Sequence, residues 1–418
     1  MELKRVVVTG LGALTPIGNN LEEYWQGLLN GVSGACPISH FDVSLFKTRF
    51  ACEVKGFNLS DRMDVNIKEL RKLDLFTQYA LATAQEAIED SHLDLSKEDL
   101  VRAGVIWGTG IGGFTSYGEE IVNYANSPEP RFNPFFIPKI IGDIAAGHIS
   151  MHFGLLGPNY VTTSACASSA NAICDAFNMI RLGKVDWIIT GGSEAPVNFS
   201  GIGGFNAMHA LSTRNDDPST ASRPFDKNRD GFVIGEGSGA LILESLDHAL
   251  ARGAKIYAEI SGCGLSADAY HLTAPHPEGN GARLAMLHAL EEANLSIEDV
   301  DHINTHGTST PIGDLAEVKA ITSLFGEHAK NININSIKSM IGHLLGAAAA
   351  VESIATILTI VHDIVPPTIN HFEDDERIDP NLNFTFNKAQ QRKVDVAISN
   401  AFGFGGHNAS LLFKKYKA

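Results

Sequence analysis

Short runs of aliphatic and β-branched residues alternate along the chain with stretches in which apolar residues recur every three or four positions. The short runs predict buried strands, and the longer stretches predict amphipathic helices. Strands are predicted at Arg5–Thr9, Ala103–Trp107, Trp187–Thr190 and Ala240–Glu244, and a helix at Leu21–Leu29. Alternation of this kind indicates an α/β fold with buried sheets.

Three pairs of segments resemble each other and occur in the same order. The first pair shares a succession of helix, strand and turn, the second shares a strand that leads into a helix, and the third consists of two apolar segments that begin with glycine. Any one similarity could arise by chance, but three similarities in the same order outweigh that interpretation. The pairs are Leu81–Gly110 with Leu284–Thr308, Tyr160–Thr163 with Ile332–Ile337, and Gly235–Glu244 with Gly405–Phe413. We therefore predict a duplicated α/β unit with an N-terminal half at 1–254 and a C-terminal half at 255–418.

Composition and charge narrow the classes of function. The 418 residues are 44% hydrophobic, which excludes wholesale disorder. The net charge of −16 argues against binding to a nucleic acid backbone, since that interaction needs cations. The five cysteines are sparse and form no CxxC pair, a usage typical of a reducing compartment.

Neither long apolar segment predicts contact with a membrane. The apolar start of the chain is interrupted at Thr9-Gly10 and Thr15-Pro16, so it is interpreted as a first core strand rather than a signal peptide. The most apolar long stretch, Ile341–Val361, contains His343 and Glu352. Charged or titratable side chains there favour a buried helix over a membrane span.

Cys166 is the first candidate for chemistry. It follows a β-branched run and precedes a helix whose apolar residues have helical spacing and which should stop at Gly183. A cysteine at the start of a helix lies beside free N–H groups, which favour the thiolate and can hold an oxyanion. The alternative is a structural buried cysteine, the interpretation that fits Cys174.

Three further segments have unusual chemistry for their surroundings. In Asn304–Asp314, His306 lies in a loop of small hydroxyl residues. In Lys338–Gly346, Lys338 and His343 lie at the start of a very apolar helix. In Asn400–Asn408, two phenylalanines alternate with glycines. Charges that enter an apolar helix need partners. A zinc site of Cys166, His306 and His343 is a further alternative, although it lacks the closely spaced ligand pair of most zinc sites.

These segments resemble those of one enzyme family. TSACASSANAI, NTHGTSTPIGD, KSMIGHLLGAA and NAFGFGGHN have the order and spacing found in β-ketoacyl-acyl carrier protein synthases, and the similarity extends over essentially the whole chain. The resemblance implies the α/β thiolase-like fold, with duplicated halves in five αβαβα layers. It also implies a cytoplasmic homodimer that uses an acyl carrier protein as partner.

The resemblance also implies roles for individual residues. Cys166 would be the nucleophile, His306 and His343 the catalytic pair, Lys338 a buried lysine that orders the site, and Glu352 its supporting carboxylate. The oxyanion hole would be formed by the N–H groups of Cys166 and Phe402, with Phe402 also acting as a gate. The remaining implied residues are Ile111, Phe205, Thr308, Thr310 and Phe404 for substrate and Lys68, Arg71 and Lys72 for carrier docking.

The implied reaction is decarboxylative condensation of malonyl-carrier with an acyl group on Cys166, which elongates a fatty acid by two carbons. No metal or organic cofactor is expected, because the phosphopantetheine belongs to the carrier. A cysteine nucleophile with two histidines separates this chain from chain-length factors and from initiating synthases, and Ile111 favours an elongating type II enzyme. A type I or polyketide ketosynthase and a catalytically silent scaffold remain as alternatives.

Overall fold

The structure is a computed structural model that describes residues 3–129 and 131–417. The elements of the first half are β1 (Val6–Leu14), α1 (Leu21–Leu29), β2 (Cys36–Pro37), β3 (Phe50–Ala51), α2 (Ile67–Leu70), α3 (Leu75–Ser91), β4 (Ala103–Gly108), α4 (Phe114–Asn126), α5 (Phe136–Ile140), α6 (Ile144–Phe153), β5 (Asn159–Thr162), α7 (Ser168–Arg181), β6 (Trp187–Glu194), α8 (Phe199–Ala207), β7 (Gly237–Ser245) and α9 (Leu246–Ala251).

The second half repeats much of this succession. Its elements are β8 (Ala258–Ala267), α10 (Asn280–Ala293), β9 (His302–Asn304), α11 (Gly313–Phe325), β10 (Asn333–Asn335), α12 (Lys338–Ile341), α13 (Ala348–His362), β11 (Ile364–Val365), β12 (Gln390–Gln391), β13 (Val396–Gly403) and β14 (His407–Lys414). The predicted boundary between 254 and 255 lies in the connection from α9 to β8.

The bounds of α1 and β1 show how well the local sequence predicts where an element begins and ends. Helix α1 has the predicted bounds, because the Asn20 side chain accepts the N–H of Glu23 and caps the first turn. Strand β1 continues past the predicted end at Thr9, through a register shift between Val8 and Gly10. A Cβ atom at Gly10 would lie 2.2 Å from the carbonyl oxygen of Ala87, so this glycine permits close packing on α3.

The strands of the two halves have the same order and the same senses. Among the described residues they form one ten-stranded sheet with the order β10-β9-β13-β14-β8-β1-β7-β6-β4-β5. Each half has two parallel pairs at its outer side and two antiparallel pairs toward the centre, where β1 meets β8. This agreement confirms the predicted duplication.

Three apolar cores lie between the helices and the two halves of this sheet. We call these halves the first half-sheet, with strands β1, β7, β6, β4 and β5, and the second half-sheet, with strands β8, β14, β13, β9 and β10. One lies between α3, α6 and the first half-sheet, and another lies between α10, α11 and the second. The third core surrounds α7 and α13 and includes residues of β1, β7, β8 and β14. Helices therefore cover both faces of both half-sheets, which gives the five predicted αβαβα layers.

Helix α13 continues the apolar stretch identified in the sequence. The segment Leu345–His362 is long and apolar enough to cross a membrane, but 89% of it is buried inside the protein. This confirms the interpretation of the stretch as a buried helix. Its position at the centre of the molecule places the residues at its N-terminal end beside the start of α7.

Candidate active site

Cys166 lies in a single 3₁₀ turn between β5 and α7. The preceding residue, Ala165, has a φ of 51°, a left-handed conformation that is uncommon for a residue with a side chain. The sharp turn directs the Cys166 side chain into an internal cavity, where only 7% of the residue is exposed. The strand-to-helix position predicted for this cysteine is the observed one.

His343 is brought to Cys166 from the other half of the chain. Its Nε2 atom lies 3.0 Å from the Sγ atom of Cys166. The backbone of His343 is held on both sides, since its N–H donates to the Val233 carbonyl at 2.7 Å and its carbonyl accepts the Gly235 N–H at 2.9 Å. This short parallel bridge fixes the histidine relative to the loop that precedes β7.

His306 completes the pair at the end of β9. Its ring lies 5.3 Å from the His343 ring, measured between centroids, and the planes are nearly perpendicular at 85°. The N–H groups of His306 and Gly307 donate to the Glu317 carboxylate at 2.9 and 2.8 Å. Glu317 therefore anchors the loop that carries His306.

The hydrogen-bond surroundings of the two rings indicate where their hydrogens lie. Within the described chain, Nδ1 of His306 and Nδ1 of His343 are buried and have no partner. Because an unpaired buried N–H is costly, the hydrogen is assigned to Nε2 in both rings. The two N–H groups are then available as donors, and that of His343 is directed at Sγ.

Lys338 and Glu352 form a buried ion pair beneath the histidines. Both side chains are 1% exposed, and Nζ of Lys338 donates to Oε1 of Glu352. Burial lowers the pKa of His306 and of His343 well below the usual value, and the Lys338 charge lowers both further. Both imidazoles are therefore neutral near pH 7.

The resting state of the thiol differs from the sequence-based expectation. Burial raises the pKa of Cys166 to about 12, while the Lys338 charge and the backbone N–H of Phe404 act in the opposite direction. Desolvation is the largest of these effects, so the thiol is the favoured form. The sequence-based expectation that the helix start favours a thiolate considers only the local N–H groups, and burial of the sulfur acts against it.

The glycine-rich loop after β13 places Phe404, rather than Phe402, against the nucleophile. The backbone N–H of Phe404 is directed at the Cys166 sulfur and lowers the pKa of the thiol. Phe402 instead packs its ring 5.7 Å from the His306 ring. Between them, a Cβ atom on Gly403 would lie 2.7 Å from the Ser164 carbonyl oxygen, so a glycine is needed for this approach.

A cavity of about 510 Å³ opens onto these groups. The candidate residues that line it are Ile111, Cys166, Phe205, His306, Thr308, Thr310, His343, Phe402 and Phe404. The hydroxyls of Thr308 and Thr310 lie 3.0 Å apart and share a hydrogen bond. The structure therefore brings together every predicted substrate residue around the predicted nucleophile.

The candidate zinc set is close in space but is not arranged as a metal site. Cys166, His306 and His343 share the cavity. Over residues 3–129 and 131–417, no group of three or more His, Cys, Asp or Glu side chains has an arrangement that could hold a metal ion. The contact between Sγ and Nε2 instead joins two hydrogen-bonding groups directly.

The three basic residues predicted for carrier docking lie outside the cavity, around α2. Lys68 and Arg71 are exposed at the surface. Lys72 is half-buried, forms an ion pair with Glu69 at 2.7 Å and faces the Phe135 ring at 5.5 Å. Two of the three cations are thus free to meet a partner, while the third is already neutralised within the chain.

Two buried glutamates at the site were missed from the sequence. Burial raises the pKa of Glu317 to about 7, and the Glu194 carboxylate lies close enough to Cys166 for its charge to raise the pKa of the thiol. A charged residue at the end of a fully buried strand, as in WIITGGSE, is the signal that could have indicated Glu194. Glu317 gave a weaker signal, because its helix is only partly apolar.

Comparison with known proteins agrees with this geometry. Residues 3–249 match the family model described as the beta-ketoacyl synthase N-terminal domain, and residues 257–372 match its C-terminal domain. The chain is 48% identical over 415 residues to a 3-oxoacyl-[acyl-carrier-protein] synthase 2 of Staphylococcus aureus strain COL, covering 99% of both chains.

Solved structures show the same fold along the whole chain. The ishigamide ketosynthase/chain length factor superimposes with a TM-score of 0.93 at 34% identity, covering 100% of both chains. A ketosynthase bound to the hexaketide, solved in complex with its type II PKS acyl-carrier protein, gives a TM-score of 0.90 at 32% identity, again with 100% of both chains covered.

The fold and the cysteine–histidine site thus define a condensing enzyme with a thiolase-like architecture. More particularly, the chain belongs to the β-ketoacyl synthase family, as two family models covering most of its length show. The resemblance found in the four sequence motifs is confirmed.

Proposed function

We propose that this protein is a 3-oxoacyl-[acyl-carrier-protein] synthase that elongates fatty acyl chains by two carbons. The observation that carries the proposal is the contact of 3.0 Å between Sγ of Cys166 and Nε2 of His343, in a cavity that His306 also lines. The relative with 48% identity bears this name, whereas the two polyketide-type structures are 32% and 34% identical, which favours the fatty acid enzyme over a polyketide ketosynthase.

In the first half-reaction, Sγ of Cys166 attacks the carbonyl carbon of an acyl-carrier thioester. The bond from that carbon to Cys166 forms, the bond to the carrier sulfur breaks, and the thiol proton leaves on the carrier sulfur. The N–H at Nε2 of His343 stabilises negative charge on Sγ during the attack. The positive charge of Lys338 acts in the same direction.

In the second half-reaction, malonyl-carrier loses CO₂ and the negative charge moves onto its thioester oxygen. The Nε2 N–H groups of His306 and His343 are the donors that stabilise this oxygen. The resulting carbanion attacks the acyl carbon on Cys166, the bond to Sγ breaks, and the 3-oxoacyl-carrier leaves. The released thiolate then takes up a proton from water and regenerates the thiol. A neutral imidazole keeps its N–H in this step, so the low pKa of both rings suits the role.

The tetrahedral intermediates need two donors near Cys166. We assign them to the backbone N–H of Cys166 itself and the backbone N–H of Phe404, because the latter is directed at the sulfur. Phe404 thereby takes over the role that the sequence assigned to Phe402. Thr308 and Thr310 have hydroxyls suited to the pantetheine arm, whose amides need hydrogen-bond partners.

The proposed assembly is a homodimer. Among the described residues, edge strand β5 pairs only with β4, and an exposed apolar surface lies on and around α4 and α5. Its exposed side chains are those of Tyr117, Ile121, Val122, Tyr124, Phe132, Phe135 and Ile137. Ile111, at the proposed end of the acyl pocket, is 42% exposed in the single chain, so a second copy would close the pocket.

We further propose that an acyl carrier protein docks on Lys68 and Arg71, that no metal or organic cofactor takes part, and that the protein acts in the cytoplasm. The exposed cations on and beside α2 support the first of these, since the chain is otherwise strongly acidic. All five cysteines are free thiols, which suits a reducing compartment.

Incubation of the protein with a ladder of acyl-carriers, followed by malonyl-carrier, tests the proposed activity. Mass spectrometry should show an acyl group on Cys166, then its conversion to a 3-oxoacyl-carrier two carbons longer, with release of CO₂. A correctly folded protein that forms no acyl-cysteine and releases no CO₂ would instead be a silent scaffold. Sedimentation velocity tests the dimer separately, and a monomer at micromolar concentration would contradict it.

A further inference from the structure

Glu194 ends strand β6 in a fully buried position and has no part in the half-reactions above. Its carboxylate nevertheless accepts five hydrogen bonds. Oε1 accepts the Thr109 hydroxyl at 3.0 Å and the N–H groups of Ile111 and Gly112 at 3.1 and 3.2 Å. Oε2 accepts the N–H groups of Gly110 and Gly346 at 2.6 and 3.0 Å.

The donors come from two loops that border the reacting groups. The first loop follows β4 and carries Ile111 at the proposed end of the acyl pocket. The second is the turn Leu345–Ala347, which follows His343 and leads into α13. Glu194 is therefore the side chain that joins the pocket end to the segment carrying a catalytic histidine.

Both loops approach the carboxylate so closely that side chains are excluded. A Cβ atom on Gly110 would lie 2.8 Å from Oε2 of Glu194. A Cβ atom on Gly346 would lie 2.5 Å from the same oxygen and 2.2 Å from the Gly110 nitrogen. Both positions therefore require glycine, because only a residue without a Cβ atom lets the two backbones approach the carboxylate this closely.

The duplication of the fold gives this contact a counterpart at the nucleophile. The turn Leu345–Ala347 precedes α13 as the turn Ala165–Ala167 precedes α7, and their first residues have φ values of 48° and 51°. Gly346 thus corresponds to Cys166. The N–H that would stabilise an oxyanion in the first half is, in the second half, bound by the Glu194 carboxylate.

We infer that Glu194 is a positioning residue for the condensation, which holds the end of the acyl pocket at a set distance from Cys166 and His343 and so determines acyl-chain selectivity. This inference rests on the proposed function. The turn Leu345–Ala347 also packs against the turn Ala165–Ala167, so the position of Gly346 affects the position of the turn that carries Cys166.

A carboxylate suits this role because it only accepts hydrogen bonds. In Glu194→Gln, the amide NH₂ group would face backbone N–H groups and could not accept from them, so one of the two loops would lose its anchor. Burial raises the pKa of Glu194 itself, but the backbone N–H groups and the Thr109 hydroxyl that donate to it favour the ionised carboxylate. The substitution removes this negative charge, which raises the pKa of the Cys166 thiol. Two separate readouts, chain selectivity and thiol reactivity, should therefore change together.

The test compares wild type, Glu194→Gln and the control Glu86→Gln. Glu86 also accepts two backbone N–H groups, from Ala13 and Leu21 at 2.9 and 2.7 Å, but it lies on α3 and does not line the cavity. For Glu194→Gln we expect the ratio of kcat/KM for the longest and shortest accepted acyl chains to rise roughly five-fold or more, as the pocket end recedes. The pH profile of iodoacetamide alkylation at Cys166 should move down by about half a pH unit or more.

The control should show at most a lower Tm, with the ratio and the alkylation profile unchanged. If Glu194→Gln also changes only the Tm, its role is structural and the inference is overturned. Should Glu194→Gln not fold, Thr109→Val replaces it, because this variant removes one donor to Oε1 and should shift the selectivity in the same direction. A wild-type selectivity ratio in folded Thr109→Val would then overturn the inference.

The alkylation measurement keeps this inference distinct from the proposed function. It needs no carrier, malonyl group or acyl transfer, only the thiol and its surroundings. A wild-type protein without condensation activity would refute the proposed function. An unshifted alkylation profile in Glu194→Gln would refute the coupling of Glu194 to the nucleophile, whatever the activity of the wild type.

Discussion

The Nε2 atom of His343 lies 3.0 Å from the Sγ atom of Cys166, although 177 residues separate them in the chain. Both groups are neutral in the resting site, because burial raises the pKa of the thiol and lowers that of the imidazole. The site is therefore arranged to donate a hydrogen bond to negative charge that develops during the reaction.

Replacement of Cys166 by alanine should abolish condensation and leave decarboxylation of malonyl-carrier measurable. The variant removes the nucleophile, but the Nε2 donors of His306 and His343 remain in the cavity. Product formation followed by mass spectrometry and CO₂ release followed with labelled malonyl-carrier distinguish the two activities. Loss of both activities in a folded variant would contradict the division of roles between the cysteine and the histidines.

His343→Ala should lower decarboxylation roughly 10²- to 10³-fold, the usual cost of one donor to a developing oxyanion. Acylation of Cys166 should fall less, since the thiol loses a stabilising N–H but keeps the Lys338 charge and the Phe404 N–H. Single-turnover acylation and CO₂ release measure the two steps. Equal losses would mean that His343 also removes the thiol proton.

Ile111→Phe should shorten the longest acyl chain that the enzyme accepts. Ile111 lines the cavity, and Glu194 holds its backbone N–H, so a larger side chain at this position projects from a fixed backbone. Because Ile111 is 42% exposed in the single chain, the cost of additional volume, roughly 1–3 kcal/mol, applies in the proposed dimer, where the second copy closes the pocket. Acylation of Cys166 with an acyl-carrier ladder measures the effect, and an unchanged profile would place the end of the pocket elsewhere.

The double variant Lys68→Glu/Arg71→Glu should raise the KM for carrier-bound substrate and leave turnover of a free pantetheine thioester unchanged. Both side chains are exposed on or beside α2, and exposed charges act over about one Debye length of roughly 10 Å at 0.1 M salt. Kinetics with the two substrates at low and high salt measure the effect.

The control for this variant reverses two other exposed lysines, Lys97 and Lys393, and so changes the net charge equally. If the control raises the KM for carrier-bound substrate as much, overall repulsion rather than docking would explain the effect. Equal impairment of the free thioester would mean that the basic cluster is structural.

Glu236 should make the protein less stable as the pH rises. Burial and the neighbouring Glu53 raise its pKa from 4.5 to about 8, although its Oε1 accepts the Val54 N–H and the Tyr79 hydroxyl. A raised pKa in the folded state means that the favourable contribution is complete below pH 4.5 and is lost as the pH rises through 8. Each unit of this shift corresponds to about 1.4 kcal/mol.

Glu236→Gln should therefore reduce the loss of unfolding free energy between pH 5 and pH 9, measured by urea denaturation. The exposed Glu298 provides the control, since Glu298→Gln should follow the wild-type pH dependence. A Glu236→Gln variant that also follows the wild-type dependence would show that Glu236 ionises with an ordinary pKa in the folded protein.

Local sequence determined those features whose causes lie within a few residues. The Asn20 cap and the stop at Gly183, whose φ is 68°, set the ends of α1 and α7 as predicted. The order of three similar segments indicated a duplicated unit, which the matching strand orders of the two halves confirm. The four motifs identified the family, because its site residues lie within short segments that keep their spacing.

Only the tertiary structure decided the features that depend on groups distant in the chain. The thiol pKa follows from burial around Cys166, which outweighs the helix start that the sequence shows. The N–H directed at the sulfur belongs to Phe404 rather than Phe402, because the path of the loop after β13 selects one of two similar residues. Glu194 has five hydrogen-bond donors, all more than 80 residues away, and no local pattern can specify such contacts. Desolvation and long-range hydrogen bonding depend on how the two halves pack, so they could be known only once the chain was folded.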